Sequence, residues 1–348
     1  MKFFDLFCGV GGFRLGMEAN GNVCIGSCEI DKYARQTYAK NFGHEPEYKD
    51  VREINPGELE DFDCLCAGFP CQAFSIAGKR RGFDDTRGTL FFEILRIARE
   101  KQPSILFLEN VKGLLSHDKG ETFRTIIESM DELGYDVEWQ VLDSANWVPQ
   151  HRERIFLIGH LRGKSRSQVF SPHDTFKNQD GGNTNSKKES ISATLTTKQD
   201  RYPNAGFVVF GSTQPHSSVK TDISPTLTEA MGKGGGHRPF IVEPVSTLNK
   251  DTYRGNGRRM KSDNEDSFTI TTLDRHGIRL DGKYRFFTPL ECERLQGFPD
   301  GWTEGVSDVQ RYKQMGNAVT ATVVEYIAQL LTPKPTNDFI RDNLYLDV

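Results

Sequence analysis

Phe3-Phe4-Asp5-Leu6-Phe7-Cys8-Gly9-Val10-Gly11-Gly12 stands at the start of the chain and decides how the rest is read. Phe3 to Phe7 is a short apolar run that predicts a buried strand. The glycines break it at once, and Phe13 to Asn20 predicts a helix stopped by Gly21. Strand, glycine turn and helix form the opening unit of a doubly wound α/β domain. Glycine lets the backbone approach a ligand closely, and the helix start offers free amides. The spacing is not Gly-x-Gly-x-x-Gly, because Arg14 stands where the third glycine belongs, which argues against a nicotinamide dinucleotide.

Val23 to Cys28 predicts a second strand ending at Glu29. An acid there, about twenty residues past the glycines, suits two ribose hydroxyls. Asp31 is placed to cap a helix over Lys32 to Asn41. Asp50 follows another short extended piece, within reach of an adenine amino group. Gly9-Gly11, Glu29 and Asp50, at three strand ends, define a nucleoside pocket that needs no phosphate. An adenosine cofactor without pyrophosphate points to S-adenosylmethionine.

The next strand is expected over Phe62 to Cys66, followed by Ala67-Gly-Phe-Pro-Cys-Gln-Ala-Phe-Ser75. A cysteine just past a strand end, in a turn stiffened by Pro70, is well placed to be a nucleophile. Cys71 would need a nearby cation or a helix start to become a thiolate; the other reading is a buried structural thiol. Thr89 to Lys101 predicts an amphipathic helix and Ile105 to Leu108 a strand. Glu109-Asn110-Val111 ends that strand on the same rim as Cys71, where a buried glutamate with a raised pKa can donate a proton. Thr122 to Leu133 is another helix, and Asp136 to Leu142 and Ile155 to Gly159 are strands. Between the last two lies Gln150-His-Arg-Glu-Arg154. Arg152 and Arg154 alternate, so both point to one side if the backbone is extended.

From about Arg162 the composition changes to Ser, Thr, Gly, Asn and Lys. The stretch His160 to Tyr284 carries 19 Lys and Arg against 13 Asp and Glu, although the 348-residue chain has a net charge of -4. A basic insert on an acidic body fits a polyanion partner. Short β-prone runs (Ser192 to Thr196, Ser224 to Thr228, Ser246 to Leu248, Ser267 to Thr271) recur between basic or glycine-rich loops. Such loops can hydrogen-bond base edges and phosphates. Regular structure resumes at Arg285. Thr288-Pro-Leu-Glu291 reads as a capped helix start, Gly297 ends that helix, and Val319 to Leu331 is a final apolar helix. Seven cysteines without paired spacing argue for a reducing compartment. Cys64-x-Cys66 reads as core packing rather than metal ligation, so no metal is expected. No apolar run approaches a membrane span, and the N-terminus does not read as a signal peptide.

These blocks together resemble the DNA cytosine-5 methyltransferases, most closely the compact bacterial enzymes of restriction-modification systems. The resemblance is carried by Asp5 to Gly12, Glu29, Asp50, Gly68-Phe-Pro-Cys-Gln72, Glu109-Asn-Val111, Gln150 to Arg154, Arg285-x2-Thr288-x2-Glu291-x2-Arg294-Leu-Gln-Gly-Phe-Pro299 and Gln314-Met-Gly-Asn317, in that order. It covers nearly everything outside the insert. It implies a Rossmann-like catalytic domain made of residues 1–160 and 285–332. A smaller, mostly β or irregular target-recognition domain would span 161–284 and a tail 333–348. It implies S-adenosylmethionine bound by Phe7, Gly9, Gly11, Glu29, Asp50, Asn317 and Val319, with neighbours Val10, Gly12, Ile30, Val51, Pro70 and Leu90 completing the pocket. Cys71 would be the nucleophile, Glu109 would contact the base at N3, and Arg152 and Arg154 would orient it.

The expected partner is double-stranded DNA, touched by Gln72, Ser75, Lys79 and Arg87 and, from the insert, by Lys198, Arg201, Thr226, Lys233, His237, Arg238, Arg254 and Arg258. The segment Ile76 to Arg87, with Gly78, Gly82 and Gly88 as hinges, is expected to close over a flipped base. A monomer in the cytoplasm, associated with the nucleoid through DNA and with a separate cognate endonuclease as an optional partner, completes the expectation. Two other readings share the blocks. One is a tRNA-methylating branch, whose Cys-Phe-Thr tripeptide does not occur here. The other is a non-catalytic DNA-binding homologue.

Overall fold

A computed structural model of the protein describes residues 1–70, 90–164, 168–170, 243–245, 269, 277–280 and 283–332. Its centre is a six-stranded sheet. The strands are β1 (Lys2–Leu6), β2 (Val23–Cys28), β3 (Cys64–Gly68), β4 (Ile105–Val111), β5 (Tyr135–Asp143) and β6 (Glu153–Leu161). Their order across the sheet is β2-β1-β3-β4-β6-β5. The first four are mutually parallel, and β6 runs antiparallel to both β4 and β5. The order reverses between β1 and β3, and such a switch point opens a crevice at the carboxyl ends of the strands.

Both faces of the sheet are covered, as expected of parallel strands that are mostly apolar on both sides. The period of two sorts the side chains. Phe4, Leu6, Leu65, Ala67, Leu106 and Leu108 go to one face, beneath α3 (Leu90–Lys101) and α4 (Glu121–Glu132). Phe3, Cys64, Cys66 and Phe107 go to the other, beneath the final helix (Ala321–Leu331) and α1 (Gly12–Glu18). Cys64 and Cys66 are core residues, fully buried with their sulfurs 3.7 Å apart. Gly16 permits the close crossing of α1 on the final helix. A Cβ there would lie 2.7 Å from the Glu325 amide and 2.8 Å from the Ala321 carbonyl.

The C-terminal part returns to this domain through α5 (Pro289–Leu295), α6 (Asp308–Asn317) and α7 (Ala321–Leu331). Thr288 and Glu291 form the expected capping box. A third core of Val10, Ala34, Leu295, Phe298, Trp302 and Met315 packs this return onto the glycine turn. The Trp302 indole donates to the Val10 carbonyl at 2.9 Å. Glu293, fully buried, accepts from the Gly301 and Thr303 amides and from Arg311, which fixes the connection between α5 and α6.

Several local expectations shift. Phe7 leaves β1 with a positive φ of 57° rather than continuing it. The stretch before Asp50 is no sheet strand: Tyr48 makes an isolated bridge to Cys28, and Asp50 caps a 3-10 turn. β4 runs on through Glu109 to Val111 because β6 pairs with it along its whole length. α6 was not expected at all, its polar face leaving little periodicity to read. Within the insert, β7 (Glu243–Val245), β8 (Gly277–Leu280) and β9 (Lys283–Phe286) form a small antiparallel sheet. β9 spans the boundary expected between residues 284 and 285. Among the described residues no helix is long and apolar enough to cross a membrane.

Candidate active site

A cleft of about 1060 Å³ lies over the carboxyl ends of β1, β3 and β4 and is closed on its far side by the C-terminal return. The glycine turn forms its floor. Gly9 adopts φ 55° and Gly11 φ 90°, conformations that glycine takes up without the strain a side chain brings. Phe7, Gly9, Val10 and Gly12 face the cleft. Gly11 does not; its missing side chain makes room for the Phe42 ring, so its role is packing. The strained Phe7, a non-glycine residue with positive φ, sits where the strand gives way to this turn.

Glu29 stands beside the turn with both oxygens engaged. The Gly9 amide donates to Oε2 at 2.8 Å and the Asp31 amide to Oε1 at 2.7 Å. Burial pushes its carboxyl above the ordinary value, and these amides work against that rise. Asp31 caps α2 (Lys32–Phe42), accepting from the Tyr33 and Ala34 amides. Ile30, 69% exposed, presents an apolar surface to the cleft between these two acids. Asp50 is gripped by Arg52, whose Nε and Nη2 reach its two oxygens at 2.9 and 2.5 Å. Those hydrogen bonds hold the Asp50 carboxyl below the usual range. Val51, Pro70, Leu90, Asn317 and Val319 complete the lining that the sequence pointed to.

The same cleft continues to Glu109, Arg152 and Arg154. Arg154 Nε lies 3.0 Å from Glu109 Oε1. Oε2 faces the end of β3, where Gly68 has no side chain to cover it; a Cβ there would lie 3.4 Å away. Burial raises the Glu109 carboxyl, with the charges of Arg154 and Arg152 opposing. Arg152 is the largest fully buried side chain of the protein's described part. Its Nη2 donates to the carbonyls of Gly316 at 3.1 Å and Ala318 at 2.9 Å, clamping the backbone on both sides of Asn317. Burial, then Arg154, pushes the Arg152 guanidinium below its ordinary value, and Glu109 opposes. The alternation read from the sequence therefore brings both arginines to the cleft. It did not show that Arg152 spends part of its guanidinium on the chain's return.

Asn110, 2% exposed, donates to the Phe69 carbonyl at 2.9 Å and so ties the chain just past β3 to β4. Cys71 itself lies outside the described residues, as do Gln72, Ser75, Lys79, Arg87 and the segment Ile76 to Arg87 with its glycines. Lys198, Arg201, Thr226, Lys233, His237, Arg238, Arg254, Arg258 and the tail from 333 onward lie outside them too. Sequence reasoning left three supporting contacts unread, one of them at Gln314, which it quoted only as part of a motif. Arg96 donates to the carbonyls of Val51 and Ile54, Lys313 pairs with Asp31, and Gln314 accepts from Thr37. None lies next to its partner in sequence, so no local signal marks them.

The family model of the C-5 cytosine-specific DNA methylases matches residues 1–332. The chain is 37% identical over 330 residues to the Type II methyltransferase M.HhaI of Haemophilus parahaemolyticus, covering 94% of this chain and 93% of that protein. It is 38% identical over 341 residues to the Type II methyltransferase M.HpaII of Haemophilus parainfluenzae, covering 96% and 90%. Among solved structures, the Dnmt2 methyltransferase of S. pombe superposes with a TM-score of 0.58 at 16% identity, over 96% of this chain and 99% of that one.

Proposed function

The chain belongs to the C-5 cytosine-specific DNA methylases, and on that premise we propose that it transfers a methyl group from S-adenosylmethionine to C5 of a flipped-out cytosine in one short duplex sequence, through a covalent adduct with Cys71. Its resemblance to Type II restriction-modification methyltransferases supports a protective role beside a separate endonuclease. The observation that carries the reading is one continuous cleft. It joins the Glu29 and Asp50 carboxylates at one end to the Glu109–Arg154 pair at the other, with Pro70 between them.

The residues present fit the proposed cofactor. Glu29 and Asp50 are acceptors for ribose hydroxyls and an adenine amino group, and Ile30 offers an apolar surface to the adenine ring. The glycine floor leaves room for a close backbone approach. When bound, S-adenosylmethionine supplies an electrophilic methyl group on a sulfonium. Asn317, held from both sides by Arg152, and Val319 line the opposite wall.

Cytosine C5 is too weak a nucleophile to take a methyl group unaided. The Cys71 thiolate adds to C6, and the electron pair of the C5–C6 double bond is released toward N3. Glu109 stabilises that charge with a proton or a strong hydrogen bond at N3. Burial raises its carboxyl and so makes it a better proton donor than an exposed carboxylate, and Arg154 on Oε1 leaves Oε2 for the base. C5, now enamine-like, accepts the methyl group. Transfer of the C5 proton to solvent water re-forms the C5–C6 double bond as the C6–S bond breaks and expels the Cys71 thiolate, and the proton at N3 returns to Glu109. The geometry of attack does not exist inside a duplex, so the base must be extruded. We assign residues 1–160 and 285–332 to catalysis, 161–284 to target recognition, and DNA contact to the basic loops of the insert and the segment after Cys71.

The test is transfer of labelled methyl groups to mixed-sequence duplex DNA and to bulk tRNA, beside Cys71→Ala. C5-methylcytosine in one short DNA motif, with the variant silent, is the expected result. Label on tRNA alone, or undiminished transfer by Cys71→Ala, overturns the reading.

A further inference from the structure

The cleft has two walls that come from opposite ends of the chain. One carries the glycine turn, Glu29 and Asp31; the other is the C-terminal return, from Lys313 to Val319. Across the mouth, Lys313 Nζ lies 2.6 Å from Asp31 Oδ2. Asp31 is also engaged on its own wall. Its Oδ1 accepts from the Tyr33 and Ala34 amides at 2.8 and 3.2 Å, and its own amide donates to Glu29 Oε1. The position of the Glu29 carboxylate is thus set by the turn that Lys313 grips.

We propose that Lys313 is a positioning residue for the adenosyl end of the cleft. Through Asp31 it holds the Glu29 turn in place and joins the two walls at the mouth, so that a bound cofactor leaves only when this pair separates. The proposal rests on the reading of the cleft as the S-adenosylmethionine site.

The rest of the C-terminal wall is anchored independently of Lys313. Gln314 Oε1 accepts from Thr37 at 3.1 Å, Arg152 clamps the carbonyls of 316 and 318, and the Trp302 indole is fixed to Val10. Loss of the Lys313 ammonium therefore loosens the mouth without releasing the wall. The pair is partly exposed, at 46% for Lys313 and 31% for Asp31, so its effect is modest and sensitive to salt.

The experiment follows binding and release of S-adenosylmethionine and S-adenosylhomocysteine by the full chain. Wild type is compared with K313A, K313R, D31N and the D31N/K313A double variant. Asn retains the helix cap through its Oδ1, so D31N removes the charge and the acceptor that Lys313 uses while leaving the cap in place. K313A is expected to raise the cofactor dissociation rate and KM roughly three- to five-fold, with the single-turnover rate of preloaded enzyme and the KM for DNA unchanged. K313R restores both to within about twofold, and the double variant is no worse than the worse single one. Unchanged cofactor release in K313A, additive effects in the double variant, or a fall in single-turnover rate without a change in release overturns the role of Lys313. Wild type that binds neither cofactor form overturns the reading of the cleft itself, a result distinguishable from the others.

Discussion

Glu109→Gln tests whether the carboxyl in the cleft is both a proton donor and a counter-ion. The Glu109 and Arg154 side chains are only 12% and 15% exposed and meet at 3.0 Å. At that distance and an effective dielectric of about 20, the attraction is roughly 5 kcal/mol before desolvation is counted. Removing one member of a buried pair typically costs about 3–5 kcal/mol, because the other is left uncompensated. Here Arg154 would lose the carboxylate it pairs with. Partial exposure of Arg154 places the expected loss near the lower end, about 3 kcal/mol. Loss of the proton donor at N3 should slow methyl transfer by about 10²–10⁴, which is roughly 3–5 kcal/mol of barrier. Urea denaturation reads the first quantity and single-turnover transfer from cofactor-loaded enzyme reads the second. Adding Arg154→Met to Glu109→Gln should recover a large part of the stability and none of the rate. A single variant that keeps its rate within tenfold of wild type, or a double variant that recovers rate along with stability, would refute the two-role account.

Three further outcomes are expected. Arg96 donates to the carbonyls of Ile54 at 2.9 Å and Val51 at 3.0 Å, bracing the turn that carries Asp50. Arg96→Ala should therefore raise the KM for cofactor about tenfold, about 1.4 kcal/mol and so a fraction of the roughly 3–6 kcal/mol of two charge-assisted bonds, with Lys partly rescuing; initial rates at saturating cofactor should stay near wild type. Asp5 is fully buried, and burial pushes its carboxyl well above the ordinary value, opposed by the charge and the backbone amide of Arg14. With the folded pKa above the unfolded one, its contribution is present at low pH and is lost as pH rises from about 4 through the raised folded value. Asp5→Asn should thus gain stability relative to wild type progressively as the pH rises above about 4, measured by denaturation at each pH; a constant difference would contradict it. Gly16→Ala should destabilise by about 1–3 kcal/mol, because backbone atoms of α7 block the new Cβ at 2.7–2.8 Å. An unchanged melting temperature would show that α1 and α7 slide apart freely.

Legibility in the sequence varied with the range of the interaction. The strand–glycine–helix start, the cap at Asp31 and the capping box at Thr288 and Glu291 are encoded within a few residues, and each formed where its local signal lay. The β4 boundary was misread because apolarity falls off at Glu109, while β6 continues to pair as far as Val111 opposite Arg154. The glycines of the first turn read alike in sequence. Yet Gly9 and Gly12 face the cleft and Gly11 faces Phe42, a difference set by where α2 lies. α6 went unread because it is held by Glu293, Arg311 and Gln314 rather than by an apolar stripe.

By itself the sequence determined the fold class, the family and an ordered set of candidate site residues, because alternation, turn residues and motif blocks are properties of neighbouring positions. Only the tertiary structure decided which of those residues meet. Glu109 finds Arg154 through the antiparallel register of β4 and β6, and Arg152 reaches the backbone around Asn317 because the C-terminal return docks on the glycine turn. Asp31 finds Lys313 for the same reason. Pairings of this kind depend on register and on the closing of long chain excursions, and no local pattern of residue types encodes either.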